Sequence, residues 1–216
     1  SQIGLFIAPA FLFAYLVSSS IGTELKLTRV PNMASIGIIL TVTLLSIPFI
    51  NFLAIGNSEI HLPEFMKSIE NWMMNMQRKN DILMEVILQM NSSRDVVINI
   101  VMMTLLPAIG EELIFRGIIQ KQLIKWFSNP HVAIFITALF FSAFHMQIVG
   151  FLSRLLLGML FGYFYYYSKN IWTAIWGHFI NNGLALGLAI IYGSQADSTP
   201  IDSEPTTMLL IASTVA

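Results

Sequence analysis

The sequence predicts an all-α fold: a polytopic transmembrane helix bundle of about six to seven spans, with a short amphipathic extramembrane helical pair. Three observations carry that prediction. Of 216 residues, 56% are hydrophobic and only 11% charged, whereas a soluble domain carries about 45–50% apolar and about 25% charged residues. The mean hydropathy is +0.72. Uncharged apolar stretches long enough to cross a bilayer recur along the chain, each near the roughly 20 residues that a helical crossing requires. A soluble globule of this size leaves much of its area facing water, so a soluble enzyme is excluded, as are disordered and fibrous chains.

The elements follow in order. Residues 3–21 and 33–55 carry no charge and read as spans. The first is not expected to be a cleavable leader, because it lacks a basic start and a small-residue cleavage site. The chain begins at Ser1 without Met, so a native segment is expected to precede it. Residues 57–95 differ in composition: charged residues alternate with Met and Ile, and Phe65, Ile69, Trp72, Met73 and Met76, then Ile82, Leu83, Val86, Ile87 and Met90, recur at helical spacing. Two amphipathic helices, over 64–78 and 80–90, are expected outside the membrane, as a connection or as an interfacial guide for substrate. Residues 96–109 are apolar, and the helical pattern continues through Glu111, Glu112 and Arg116 to about Phe127. Spans are expected at 131–149, 151–168 and 171–192, which contain His145, Arg154 and His178 respectively. A final apolar run, 207–216, is too short to cross. The chain thus reads as one integral membrane domain over 1–216.

Lysine and arginine in short loops set orientation. Lys26 and Arg29, then Arg116, Lys121 and Lys125 after Ile114, then Lys169, mark three cytoplasmic connections, while the acidic loop 193–205 is external. Tyr163, Tyr165, Tyr166, Tyr167, Trp172 and Trp176 suit an interfacial aromatic belt. Gly158-x-x-x-Gly162 and Gly183-x-x-x-Gly187 are expected to allow close helix packing. Asn91-Ser92-Ser93 matches a glycosylation acceptor. A net charge of −1 gives no basic face for nucleic acid. The absence of cysteine excludes disulfides, thiolate metal sites and a cysteine nucleophile.

Ionisable groups within apolar spans are costly and therefore point to function. Glu112 and Arg116 stand four apart on one helical face and can pair, either structurally or as part of a site. Glu111 lies about 100° around the helix and can point elsewhere. Pro107 and Gly110 are expected to loosen or kink the helix just before the carboxylates. Counted from the turn near Pro130, Glu111 and His145 differ in depth by only about 6 Å, so they can meet. His178 and Asn182 project together, but counted from Asn170 they sit shallower. A carboxylate withdrawn from water, with a histidine, suits a general base that polarises a water. A second histidine with an asparagine amide offers donors to an oxyanion. Neither G-x-S-x-G nor H-E-x-x-H occurs.

Three motifs, Glu111-Glu112…Arg116, Phe141…His145 and His178…Asn182, resemble the E-E-x-x-x-R, F-x-x-x-H and H-x-x-x-N/D pattern of the CPBP family, also called the Abi or CAAX-protease family of intramembrane endopeptidases. The surrounding text, IGEELIFRGIIQ, SRLLLGMLFGYFY and NIWTAIWGHFINN, is also similar to that family, and the resemblance spans about 100–192. It implies catalytic roles for Glu111, Glu112, Arg116, His145, His178 and Asn182. Glu111 would be the base, His145 its helper in activating water, His178 and Asn182 the oxyanion site, and Glu112–Arg116 an orienting pair. The family has been described as metalloproteases, and if a metal such as Zn²⁺ is held, Glu111, His145 and His178 are its ligands. The implied partners are a membrane-associated peptide or protein substrate and the lipid bilayer, with no nucleic acid. Bacterial members process bacteriocins or confer self-immunity, and the short core resembles theirs, in a bacterial plasma membrane. A proton-coupled transporter also uses buried Glu and His, although no inverted pair of broken helices is found. A toxin-binding immunity factor that does not cut is the third class.

Overall fold

The computed structural model describes residues 2–57, 62–88, 92–148 and 150–196, and among these it is helical with no strand. We number the helices α1 (Ile3–Val17), α2 (Ile21–Glu24), α3 (Met33–Asn57), α4 (Lys67–Leu88), α5 (Ser93–Phe127), α6 (Pro130–Phe144), α7 (Phe151–Ser168) and α8 (Ile171–Ala196). Three of them, α3, α5 and α8, are long and apolar enough to cross a bilayer. The other expected crossings are shorter or more polar. α6 has 15 residues, about 22 Å of helix, and α1 ends where Ser18 turns extended. α7 carries the buried Arg154.

Local chemistry explains the boundaries. Ser92 opens α5 by accepting from the Asp95 amide, and Asn129 opens α6 by accepting from the amides of His131 and Val132, with Pro130 as first helical residue. Gly150, at φ 80°, lets the chain reverse into α7. Asn170 caps α8 through the Trp172 amide. The loosening expected near Pro107 is present as a wide π-turn over Ile100–Leu105, just ahead of the proline. Pro9 in α1 likewise follows a π-turn, Ile3–Ile7. A proline lacks an N–H and crowds the preceding turn, and a widened turn absorbs both defects. A further π-turn spans Phe115–Gln120.

The core is built from small and branched residues where helices meet: Ala10 and Ala14 of α1, Ile50 of α3, Ala108 and Leu113 of α5, Leu157 and Phe161 of α7, and Ala174 of α8. α7 lies centrally, packed on α3, α6 and α8, and α5 packs between α1 and α8.

Several expectations are corrected. The two amphipathic helices of 57–95 are one, α4, preceded by a single 3₁₀ turn at Glu64–Met66. No glycine or proline lies between Met76 and Ile82 to break it. Its apolar residues remain uncovered: Phe65 in the preceding turn and Trp72, Ile82, Leu83 and Val86 on the helix are all exposed. Arg116 is not in a connection; it is fully buried within α5. Lys26, Lys121, Lys125 and Lys169 do gather at one end of the bundle. Tyr165 faces the core rather than an aromatic belt. Gly158 and Gly162 sit at close contacts, whereas a Cβ on Gly183 or Gly187 would meet nothing within 4 Å among the described residues, so the second pair packs against none of them. Met90, Asn91 of the glycosylation match, residues 197–205 of the acidic loop and the apolar run 207–216 lie outside the described residues.

Candidate active site

The second and third motifs deliver their histidines to the carboxylates of α5. Glu112 is fully buried, and one of its oxygens, Oε1, accepts from both Arg116 Nη1 (2.7 Å) and His178 Nδ1 (2.9 Å). His178 is therefore not shallower than the carboxylates. The first residue of α8, Ile171, lies beside Gly117 of α5, where a Cβ would meet it at 3.9 Å, and counting residues from a turn cannot capture that offset. Since the carboxylate accepts from Nδ1–H, the imidazole turns Nε2 away from Glu112, and that atom is buried with no hydrogen-bond partner among the described residues. The ring is stacked on Phe161 at 5.2 Å and 13°, which fixes its plane.

Both terminal nitrogens of Arg116 are held, whereas its Nε has no hydrogen-bond partner among the described residues. Its second amino group donates to the Gly158 carbonyl at 2.8 Å, and its guanidinium lies over the Phe141 ring (4.7 Å) and near that of Phe161 (5.7 Å). One turn on, Gln120 donates to the Gly162 carbonyl at 3.0 Å. The Gly-x-x-x-Gly pair thus does more than permit close approach. Because α7 has no side chain at 158 or 162, its carbonyls can be reached from α5, and Arg116 and Gln120 repeat at the same spacing as the glycines they bond.

Glu111 points elsewhere, as its angular offset requires. Its Oε1 accepts from the side-chain amide of Gln2 at 3.1 Å. Its Oε2 has no hydrogen-bond partner among the described residues and lies 4.0 Å from His145 Nε2. That is too long for a direct hydrogen bond, but one water placed about 2.8 Å from both atoms would subtend about 90°. His145 ends α6, and its Nδ1–H donates to the Phe141 carbonyl at 2.9 Å. A carbonyl only accepts, so this bond leaves the Nε2 lone pair toward Glu111. Phe141 meets both histidines edge-on, His145 at 5.2 Å and His178 at 5.9 Å.

Asn182 sits one turn from His178 and donates to the Met103 carbonyl at 3.4 Å, within the π-turn that frees backbone acceptors in α5. Asn181 donates to Asn182 Oδ1. Of the six candidate residues, Glu112, Arg116 and His178 form one hydrogen-bonded chain, and Glu111 and His145 face one another beside it. Asn182 joins α8 to α5 at the margin. Among the described residues, no three His, Asp or Glu side chains are placed to hold one metal ion. The expected Zn²⁺ ligands Glu111, His145 and His178 are accordingly not drawn together as such a set.

Two participants escaped the sequence reading. Gln2 comes from the first helix, in a part of the chain without a recognisable motif; its signal is a long amide at the edge of an apolar run. That helix approaches closely because position 110 is glycine: a Cβ there would stand 3.0 Å from Phe6 Cβ. Phe161, between the two glycines of α7, is one aromatic among many in an apolar span and carries no signal of its own.

Residues 93–184 match the family model described as Type II CAAX prenyl endopeptidase Rce1-like. All six candidate residues lie inside that segment, which starts and ends slightly before the 100–192 expected from the motifs. No curated protein and no solved structure matches the chain.

Proposed function

From the premise that the segment 93–184 belongs to the Type II CAAX prenyl endopeptidase Rce1-like family, we propose that this integral membrane protein hydrolyses a peptide bond of a membrane-associated peptide with a water activated by Glu111 and His145. The observation that carries the reading is that Glu111 Oε2 and His178 Nε2, two of the buried atoms that lack a hydrogen-bond partner among the described residues, stand on two helices joined by the Glu112–His178 bond. A buried polar atom left unpaired costs about 1–3 kcal/mol, and at an active site the reacting groups are what satisfy it.

The chemistry follows. A water between Glu111 Oε2 and His145 Nε2 gives its proton to the carboxylate as its oxygen attacks the scissile carbonyl. Gln2 holds the other carboxylate oxygen, so Oε2 is the one that faces the water. As the carbonyl oxygen gains charge, His178 donates to it from Nε2 with Glu112 behind the ring, and Asn182 lies one turn away as a second donor. Collapse of the tetrahedral intermediate expels the amine, which takes the proton held by Glu111. The uncovered apolar face of α4 is a surface along which an amphipathic substrate can lie. Processing of a bacteriocin-like peptide is the narrower form of this reading.

The test is cleavage of a quenched, membrane-partitioning peptide by the purified protein in lipid. Glu111→Ala and His145→Ala are each expected to lower kcat by at least about 10²-fold, the usual scale for a general base, with helicity retained. Undiminished turnover in both variants overturns the assignment. Solute flux, or protection against a toxin, that survives both substitutions would favour transport or binding instead.

A further inference from the structure

A second site lies away from these carboxylates. At one end of the bundle a cavity of about 310 Å³ is lined by Lys26, Lys121, Lys125, Lys169, Tyr165 and Tyr166, among others. The four lysines come from three separate places: the bend after α2, the last turns of α5 and the residue just after α7. Lys26 and Lys169 both have left-handed backbones, φ 58° and 55°, a conformation that favours glycine. The chain nevertheless has lysine at both. The field at a helix C-terminus favours each of these cations singly, yet it gives no reason for them to share one cavity, where like charges repel.

One of the four is matched. Lys121 pairs with the Glu24 carboxylate and also donates to the Glu24 carbonyl, while Lys169 rests on the Tyr166 ring at 4.1 Å. Among the described residues, Lys26, Lys125 and Lys169 are left in excess of the one carboxylate paired here. Amphipathic aromatics surround this end: Trp126 is 80% exposed and stacked on Phe127 at 5.6 Å, and Tyr167, also exposed, stacks on Tyr163 at 5.9 Å. Exposed Trp and Tyr rings settle at the level of lipid headgroups, so the cavity opens where anionic lipid is concentrated.

We propose that this cavity binds a phosphate group, supplied by the headgroup of an anionic glycerophospholipid, with Lys26, Lys125 and Lys169 as its cations. Lys121 is occupied with Glu24 and helps to shape the wall. Clustered lysines between helices at a membrane surface suit this ligand chemistry, and 310 Å³ accommodates a phosphodiester with part of its alcohol.

Tryptophan quenching by brominated lipid tests it on the whole chain in mixed micelles. Brominated phosphatidylglycerol is expected to bind about tenfold more tightly than brominated phosphatidylcholine. The triple variant Lys26→Gln/Lys125→Gln/Lys169→Gln should bring the two to parity. The control Lys67→Gln/Lys79→Gln, which removes as many as two charges from α4, should keep the preference. An equal affinity for both lipids in the unaltered protein, or a preference that survives the triple substitution, overturns the site. Calorimetric binding of inorganic phosphate alone at millimolar strength, lost in the triple variant, would assign the cavity to soluble phosphate and overturn the lipid assignment. Peptide cleavage plays no part in these readings, so their failure is separate from that of the proposed activity.

Discussion

Arg116→Met tests the heart of the arrangement. The guanidinium is fully buried and replaces its water with three kinds of partner: the Glu112 carboxylate at 2.7 Å, the Gly158 carbonyl at 2.8 Å and the faces of Phe141 and Phe161. Methionine fills a comparable volume, so little of the effect is a cavity. What remains is a carboxylate with its countercharge gone, and removing one partner of a buried ion pair costs about 3–5 kcal/mol. The stranded Gly158 carbonyl adds about 1–3 kcal/mol, although costs within one network do not sum. We expect a loss near 4 kcal/mol, or about a thousandfold in the folding equilibrium at 1.4 kcal/mol per decade. Reversible unfolding in mixed micelles with rising dodecyl sulfate, followed by circular dichroism, measures it. The double variant Glu112→Gln/Arg116→Met leaves no lone charge, and should fall short of the sum of the single losses by about 1–3 kcal/mol. A loss below about 1 kcal/mol for Arg116→Met, or strict additivity in the double variant, would refute the claim that this pair holds the three helices together.

The glycines offer a paired comparison. Gly162→Ala places a Cβ 2.8 Å from Gln120 Oε1 and 2.9 Å from Ile134 Cγ2, and should destabilise by about 1–3 kcal/mol in the same unfolding assay. Gly183→Ala meets no described residue within 4 Å and should be neutral or stabilise by up to about 1 kcal/mol through helix propensity. Gln2→Met keeps the shape of the side chain but removes the hydrogen bond to Glu111; a bond to a charged group is worth about 1.5–3 kcal/mol, so kcat should fall about 10–100-fold with KM little changed, measured on the quenched peptide. Lys121→Ala breaks a pair in which both side chains are about one-fifth exposed, and thermal unfolding should register no more than about 1 kcal/mol.

Much of this was legible in the residues. Glu112–Arg116 was readable because helical spacing alone places positions four apart together, and α7 and α8 begin where the sequence predicted. The meeting of Glu111 and His145 came from depth arithmetic on two antiparallel helices, which a 4.0 Å separation supports. The same arithmetic misjudged His178, because it assumed that α8 enters at the level of its neighbours. Reading α4 as two helices, over 64–78 and 80–90, follows the polar run at 77–81, yet Met76 and Leu83 stand seven apart on one helical face, and a polar run without glycine or proline does not end a helix. Gln2 could not be found at all: its role arises from a tertiary contact 109 residues away in sequence, and one amide beside an apolar run has no local signature.

That contact has a bearing on where the working unit ends. The stretch from 93 to 184 contains every motif, but the Glu111 carboxylate is oriented by a side chain ahead of α1 that holds its Oε1, across an approach that glycine at 110 allows. A polypeptide trimmed to the recognisable segment would hold all six candidate residues while Glu111 lost the amide that fixes its carboxylate. The border drawn by similarity is narrower than the one drawn by chemistry.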